Sequence, residues 1–452
     1  MILTLNNKLH ISDAPEEIKN NIRHSLSFPN PKWLENDRMG RWNGDTPEKL
    51  KFYAETDKSI IAPRGFIRQA IDMAIRHGVG WELNDQRREI APVDFEFKGK
   101  LKPFQGNAVS DMLKKDFGVL VSSTGSGKTV MGLYLIAQRQ QPALVAVHTS
   151  QLLNQWIDRI ETFLDIPRDE IGVIGGGKKK IGSRVTVALV QSLYKQADAI
   201  SEHIGHLVID ECHRAPSRTF TEAVKAFDCK YMLGLSATPY RRDKLSKLIF
   251  WHLGDVHHTV DPSALVENGD ILQAEIITRN TDFQPYYDPV NEYSKMLSEL
   301  TFDEKRNALI AKDVAKVATK GKGIALVLSD RKKHCEALKD ILNNRFDIEA
   351  ETLTGDVSNS DRQAVVERLN TGKVKVLVAT GQLIGEGFDC RGLSTLFLST
   401  PVKFSGRVIQ YIGRVLRPAH GKDKATVYDY IDSKVGVLAA SAKARQRAYK
   451  TV

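Results

Sequence analysis

From residue 117 onward, short apolar runs alternate with amphipathic stretches, and few folds accommodate that alternation. The first series of runs lies at 117–121, 143–147, 185–190, 207–209 and 232–235. A second series follows a break, at 324–328, 374–378, 395–398 and 425–430. Runs of this length between helical patterns are the signature of βα units built around a parallel sheet. The intervening segments carry apolar residues at helical spacing, as in Cys335, Leu338, Ile341 and Leu342. Two series imply two sheets. Between them, 251–292 holds Gly254, Pro262, Gly269, Pro285 and Pro289 and lacks a long periodic segment, which puts a domain boundary near 260.

Residues 1–95 read differently. PNPKW (29–33), GRWNGDTP (40–47) and APRGF (62–66) are turn-rich and aromatic, with one clear helical pattern at 66–77. The expected organisation is therefore α/β, with a small α+β accessory domain at 1–95 ahead of two tandem parallel-sheet domains at 96–260 and 261–452. A chain of 452 residues exceeds what one hydrophobic core usually covers, which agrees with several domains. No internal repeat or low-complexity tract interrupts them.

Composition excludes some classes. With 42% apolar and 27% charged residues the chain is too apolar to be disordered. No run approaches the roughly 18 apolar residues of a membrane span, and the first residues, MILTLNNKLHISDAPEE, lack the apolar core of a signal peptide. Cys212, Cys229, Cys335 and Cys390 are too scattered for a CxxC metal site or a disulfide framework. A reducing cytoplasm, with no membrane partner, is the expectation. The net charge of +10 is unevenly spread: residues 1–100 carry 16 Lys+Arg against 15 Asp+Glu, whereas 401–452 carry 11 against 3. A solvated basic helix and a phosphate-tracking surface both fit the tail SAKARQRAYK (441–450).

Three motifs carry chemistry, each at the end of an apolar run. SSTGSGKT (122–129) follows FGVLV and opens a helical pattern, the context of a phosphate-binding loop. The backbone of Ser123, Thr124, Gly125, Ser126 and Gly127 would cradle phosphate, Lys128 would reach the β and γ oxygens, and Thr129 would help hold Mg²⁺. Ser122 stands where the GxxxxGK[ST] pattern has its first glycine. DECH (210–213) follows HLVI, so two adjacent carboxylates sit at a strand's carboxyl end, where open parallel sheets bind ligands. Such a pair is costly without a cation or a proton-transfer task. Asp210 would bind Mg²⁺ through water, and Glu211 would accept a proton from attacking water. SAT (236–238) would line the same edge with Ser236 and Thr238.

With KPFQ (102–105), VATGQLIGEGFD (378–389) and QYIGRVLR (410–417), these motifs stand in the order of the superfamily 2 DExH helicases, which the chain resembles over 98–432. The resemblance implies two RecA-like domains with ATP between them and nucleic acid across both. It implies that Gln105 reads adenine, that His213 and Gln410 couple nucleotide to domain closure, and that Gly387 and Asp389 sense the cleft. It makes Arg414 and Arg417, one helical turn apart by spacing, the arginine fingers, which in phosphoryl transfer supply on the order of 10³ to 10⁵ in rate.

Within the superfamily, Leu416 stands where DEAH-type RNA helicases carry a second glycine, and the motif at 210–213 is not DEAD. GLSATPYRRD, GEGFDC and QYIGRVLRP are similar to the XPB- and UvsW-like duplex-DNA helicases, and SFPNPKW, RMGRWNGDTP and APRGF to the amino-terminal domain of phage and bacterial members of that group. The implied partner is duplex or branched DNA, the implied cofactors ATP and Mg²⁺, with no small-molecule substrate besides ATP and water, and a monomeric or weakly associating chain.

A motor that moves along any sequence should grip phosphate and leave base edges unread. Candidates are Lys178, Lys179 and Lys180 in GGGKKK, Arg241 and Arg242 after SAT, and Lys403 and Arg407 ahead of the last motif. For GGGKKK a solvated glycine turn between two strands is the slightly favoured reading. Trp33, Trp42 and Trp81 fit either a stacking wedge or the core of the front module, the commoner use of tryptophan. Three functions fit: a motor that remodels forks and four-way junctions, the translocating subunit of a restriction or repair complex, and a nucleotide-gated binding module. An RNA helicase is the further alternative. The intact set Glu211, Arg414 and Arg417 disfavours the binding module.

Overall fold

The computed structural model describes all residues except 215–217, 238–245, 322, 356, 358, 386–389, 391, 403–404, 420–421, 423 and 450–452; at 214, 218–219, 359–360, 382, 385 and 405–407 it describes the backbone alone. The chain divides into two compact units, Met1–Ser122 with Gly127–Val260, and Ser123–Ser126 with Asp261–Val452.

The amino-terminal segment forms strands β1 (Ile2–Leu5), β2 (Lys8–Ser12), β3 (Ser27–Pro29), β4 (Lys49–Lys51), β5 (Ala54–Glu55), β6 (Ser59–Pro63) and β7 (Glu82–Asp85). Five of them make a sheet in the order β5-β6-β2-β1-β7, antiparallel except where β7 joins β1. Strands β3 and β4 pair separately. Alternation in β1 and β2 turns Leu3, Leu5, Leu9 and Ile11 inward, against the helices Glu16–Ser25 and Ile67–Arg76.

This sheet does not own its core alone. Leu248 and Trp251, from the helix Ser246–Leu253, belong to the same buried cluster. APRGF makes the seam. Gly65 lies so close to the next layer that a β-carbon would stand 2.2 Å from the carbonyl oxygen of Phe250. Arg64 is buried, donates to the carbonyl of Cys229 at 2.9 Å, and lies 5.0 Å from the Phe117 ring centroid; burial pushes its pKa down to about 10.

The central sheet of the first unit contains β8 (Phe117–Val121), β9 (Ala143–Val147), β10 (Gly172–Gly175), β11 (Lys178–Lys180), β12 (Val185–Leu189), β13 (His206–Asp210), β14 (Tyr231–Ser236) and β15 (Val256–Thr259). Their order is β11-β10-β12-β9-β13-β14-β8-β15, parallel throughout except for the hairpin β10-β11. In the second unit β16 (Ala274–Asn280), β17 (Ile324–Ser329), β18 (Ala350–Leu353), β19 (Val376–Thr380), β20 (Leu393–Leu398) and β21 (Ala425–Ile431) form an all-parallel sheet in the order β16-β21-β20-β17-β19-β18. These are two RecA-like domains behind an α+β amino-terminal sheet.

The segment 251–292, read as a break, contributes an edge strand to each sheet, β15 to the first and β16 to the second. VHHT and AEIITRN are too polar for the apolar-run signal, because an edge strand buries less. The tail is a helix, Gly436–Tyr449, and one of its cations is structural: Arg445 is buried and pairs with the buried Asp429 at 2.8 Å. Lys443 and Arg447 remain exposed. Among the described residues no helix is long and apolar enough to cross a membrane. The four cysteines are buried and reduced.

Candidate nucleotide site

Sheet order puts the three motifs of the first unit side by side. β14 lies between β13 and β8, so Ser122, Asp210 and Ser236 share one carboxyl edge. A direct bond ties two of them: Ser122 N–H donates to the carbonyl of Ser236 at 3.0 Å. Ser122 thus occupies the departed glycine's place as a buried, strand-like residue.

Gly125 and Gly127 have φ of +93° and +87°, a left-handed backbone open to glycine at little cost. Gln105 reaches this turn from the start of the helix Pro103–Leu113. A β-carbon on Gly127 would stand 2.4 Å from Gln105 Nε2, so the glycine and the glutamine need each other's shape. Ser126 Oγ donates to Ser123 O at 2.7 Å and closes the turn. Lys128 and Thr129 open the helix Lys128–Arg139, whose amino terminus attracts anions. The buried Lys128 Nζ donates to Ser122 O at 3.1 Å.

The acidic pair is held from three directions. Asp210 is buried; its Oδ2 accepts from Trp156 Nε1 at 2.8 Å and its Oδ1 from the Glu211 N–H at 2.9 Å. Trp156 comes from the helix Ser150–Leu164 and lies against Gly132, where a β-carbon would meet its Cη2 at 3.1 Å. Glu211 has φ of +50°, a left-handed value that costs a non-glycine residue about 1 kcal/mol or more. Its Oε2 lies 3.2 Å from His213 Nδ1, which in turn lies 3.2 Å from Ser236 Oγ. Burial, and then the neighbouring Glu211 charge, push the Asp210 carboxyl above the usual range; the Trp156 bond and Lys128 oppose the shift. A divalent cation would relieve the repulsion that raises it.

Thr129 and Asp210 present hard oxygen donors, the kind Mg²⁺ accepts together with phosphate oxygens and water. Among the described residues no group of three His, Cys, Asp or Glu side chains could cage a metal.

In the second unit Gln410 and Arg414 are buried on the helix Ser405–Val415. That helix stops before Arg417, so the two arginines are not on one helical face as their spacing suggests. Lys422 bridges the stop: its Nζ donates to the carbonyls of Val415 at 2.5 Å and Arg417 at 2.7 Å. Burial, with Arg417 beside it, pushes the Lys422 pKa down to about 8.

Other expected residues fall elsewhere. Lys178, Lys179 and Lys180 form the exposed outer strand β11, and Gly176 and Gly177 make its turn with φ of +58° and +84°. Trp42 is 91% exposed and Trp81 42% exposed, so neither fills the front module's core. Thr238, Arg241, Arg242, Gly387, Asp389 and Lys403 lie outside the described residues, as does the side chain of Arg407. Trp156 and Lys422 are absent from the motif reading. Only the need of a buried indole N–H for an acceptor could have drawn attention to Trp156.

Two family descriptions match: "Type III restriction enzyme, res subunit" over residues 98–241, and "Helicase conserved C-terminal domain" over 304–419. The ATP-dependent DNA helicase uvsW of Enterobacteria phage T4 is 27% identical over 474 residues, covering 96% of this chain and 91% of that one. A protein of Acanthamoeba polyphaga mimivirus named for ATP-dependent RNA helicase activity, L396, is 28% identical over 376 residues, covering 79% and 69%. Among solved structures, S. cerevisiae Dbp5 bound to RNA and ADP BeF3 matches with a TM-score of 0.55 at 16% identity, covering 78% of this chain and 88% of that one.

Proposed function

We propose, from the premise that the chain belongs to the superfamily 2 helicases of the UvsW-like group and hydrolyses ATP, that its track is duplex DNA and that it remodels branch points. The observation that carries this reading is the extent of the likeness to the T4 DNA helicase, which at 96% of the chain runs through the amino-terminal sheet as well as both RecA-like domains. That sheet shares a core with Trp251, so whatever it touches is coupled mechanically to the first motor domain.

In this reading the motif residues divide the chemistry among them. Lys128 compensates phosphate charge and Gln105 recognises the base; Thr129 and Asp210 would hold Mg²⁺, which when bound would supply charge neutralisation to the phosphates. Glu211, fixed by its own backbone strain and by His213, accepts the proton of the attacking water. His213 and Ser236 pass the state of Glu211 to the neighbouring strand end, where Thr238 follows. By the family resemblance, Gln410, Arg414 and Arg417 are the candidates for coupling and for transition-state charge, and Gly387 and Asp389 for sensing the cleft and the strand. Arg241, Arg242, Lys403, Arg407, Lys178 and Lys179 grip the DNA backbone.

The restriction-subunit likeness over 98–241 supports a second reading, a translocase that moves on duplex without separating it. ATPase stimulation and strand separation measured on single strands, linear duplex, forks, four-way junctions and RNA duplex decide between them. Branch remodelling predicts the greatest turnover and product on forks and junctions. Stimulation by linear duplex with no strand separation would support the translocase, and preference for RNA would refute both.

A further inference from the structure

The segment between β3 and β4 is a protrusion without a core. From 31 to 51 no residue is buried, including the whole helix Pro31–Arg38. It is nevertheless a defined shape. Asn30 N–H donates to Glu48 O at 2.8 Å and its side chain to Pro47 O at 2.9 Å, pinning the base. At the tip, Arg41 N–H donates to Asn36 O at 2.8 Å, Asn36 Nδ2 to Asn43 Oδ1 at 3.2 Å, and Thr46 N–H to Asn43 O at 2.9 Å.

This scaffold holds one large aromatic ring in water. Trp42 is 91% exposed, and its ring rests on Gly44, where φ is +49° and a β-carbon would stand 3.1 Å from Cζ3. Only glycine both adopts that backbone and leaves room for the indole. The turn therefore leaves room for the ring beside its backbone, and the indole stands in solvent instead of packing onto apolar neighbours. Lys32, Arg38 and Arg41 are exposed on the same protrusion and form no ion pair among the described residues, although Glu35, Asp37, Asp45 and Glu48 share it. Net charge is thus nearly balanced, and bulk electrostatic attraction does not select the partner.

We infer that Trp42 stacks on an unstacked nucleobase at the branch point of a DNA junction, with Arg38 and Arg41 on the adjoining phosphates. The inference rests on the branched-substrate reading above and deepens it. Within an intact duplex both faces of every base are covered by neighbours, so an exposed indole has nothing to stack on. At a branch the stack is interrupted, and a base face becomes available to an aromatic ring. A tryptophan at the tip of a protrusion suits that target because its two side-chain torsions leave little freedom to give up on binding.

The test uses the full-length protein and a four-way junction carrying 2-aminopurine at the branch point, with linear duplex and single strand as controls. Wild type should alter the 2-aminopurine emission and bind the junction more tightly than linear duplex. Trp42→Ala should lose the emission change and weaken junction binding by about fivefold or more, the range of one base–aromatic stack, while linear duplex binding moves less than twofold. Trp42→Phe should recover most of the loss. Basal ATPase activity should be unchanged in both, which also reports that they fold. A junction preference surviving in Trp42→Ala overturns the inference. A wild type that shows no junction preference refutes the branched-substrate reading itself.

Discussion

The indole N–H of Trp156 donates to Asp210 Oδ2 at 2.8 Å, so a helix on one face of the first sheet sets the orientation of the carboxylate proposed to hold Mg²⁺. Asp210 has a second oxygen, fixed by the Glu211 N–H at 2.9 Å. Because both oxygens are held, the carboxylate would meet Mg²⁺ already oriented. Trp156→Phe keeps most of the packing against Gly132 and deletes the bond. Partners that orient a metal-binding carboxylate are worth about tenfold or more in metal affinity, so the Mg²⁺ concentration for half-maximal ATPase should rise about tenfold. Loss of a buried bond to a charged group, about 1.5–3 kcal/mol, should also lower the melting temperature by a few degrees. An unchanged Mg²⁺ dependence would make Trp156 a packing residue only.

Glu211 and Lys128 separate binding from chemistry. Glu211→Gln keeps the size of the side chain and removes the proton acceptor, so the variant should bind ATP normally and hydrolyse it about 10² to 10⁴ times more slowly. Lys128→Ala should lose DNA-stimulated turnover altogether, because the phosphate charge goes uncompensated. Single-turnover hydrolysis alongside fluorescent-nucleotide binding checks both. Fast hydrolysis by Glu211→Gln would remove it from the role.

Lys422 offers a less obvious handle on the second unit. Its two donations, to Val415 and Arg417, replace the hydrogen bonds the helix cannot make at its end. Lys422→Met should leave Arg417 loosely held and lower kcat about tenfold, the worth of two neutral-acceptor bonds, with the KM for ATP within twofold. Lys422→Arg, which keeps the donors, should restore part of the rate. A loss confined to KM would place the effect on ATP binding.

The motifs around ATP are legible in the sequence because phosphate binding requires particular residues at fixed spacing after a strand, and the same local grammar marks β8, β13 and β14. What sequence leaves out is what spacing does not govern. Trp156 reads as one more apolar residue on a helix face, and its polar handle matters only once Asp210 is in reach. Lys422 lies seven positions beyond Val415, and no recognisable sequence pattern links them. The shared core of the front sheet with Leu248 and Trp251 joins residues more than 180 positions apart. Removing residues 1–95 would therefore strip that core from the motor domain as well as the protrusion. Arg445 looks like tail charge until its buried partner Asp429 is seen, and Trp42 looks like core until the glycine beneath it is found.

The lysines of β11 are exposed and positioned on a sheet edge, so their part in DNA binding is measurable by salt. If Lys178 and Lys179 neutralise phosphates, replacing both by Ala should reduce the slope of log affinity against log salt by about 2, roughly one for each lysine removed. Duplex affinities over a salt series provide the measurement, and an unaltered slope would leave β11 a solvated hairpin.

His334 gives the second unit a defined response to acid. It is fully buried, with Nδ1 3.0 Å from Ser329 Oγ and Nε2 2.9 Å from Asn307 Oδ1. Burial, and then Arg306, push its pKa down to about 3 from an ordinary 6.5, so the folded chain keeps the ring neutral where the unfolded chain would take a proton. The stabilisation tied to that neutral ring is complete above pH 6.5. It is lost as pH falls from 6.5 toward 3, by up to about 1.4 kcal/mol per pH unit. His334→Gln removes the titration while retaining a polar side chain. It should be less stable than wild type at pH 8, yet its melting temperature should fall less steeply between pH 6.5 and 4.5. His206 and His252 of the first unit are also held down by burial, so some acid sensitivity persists in the variant. The difference in slope between the two proteins is what isolates His334. Parallel slopes would mean that opening of the second unit at low pH is driven by other groups.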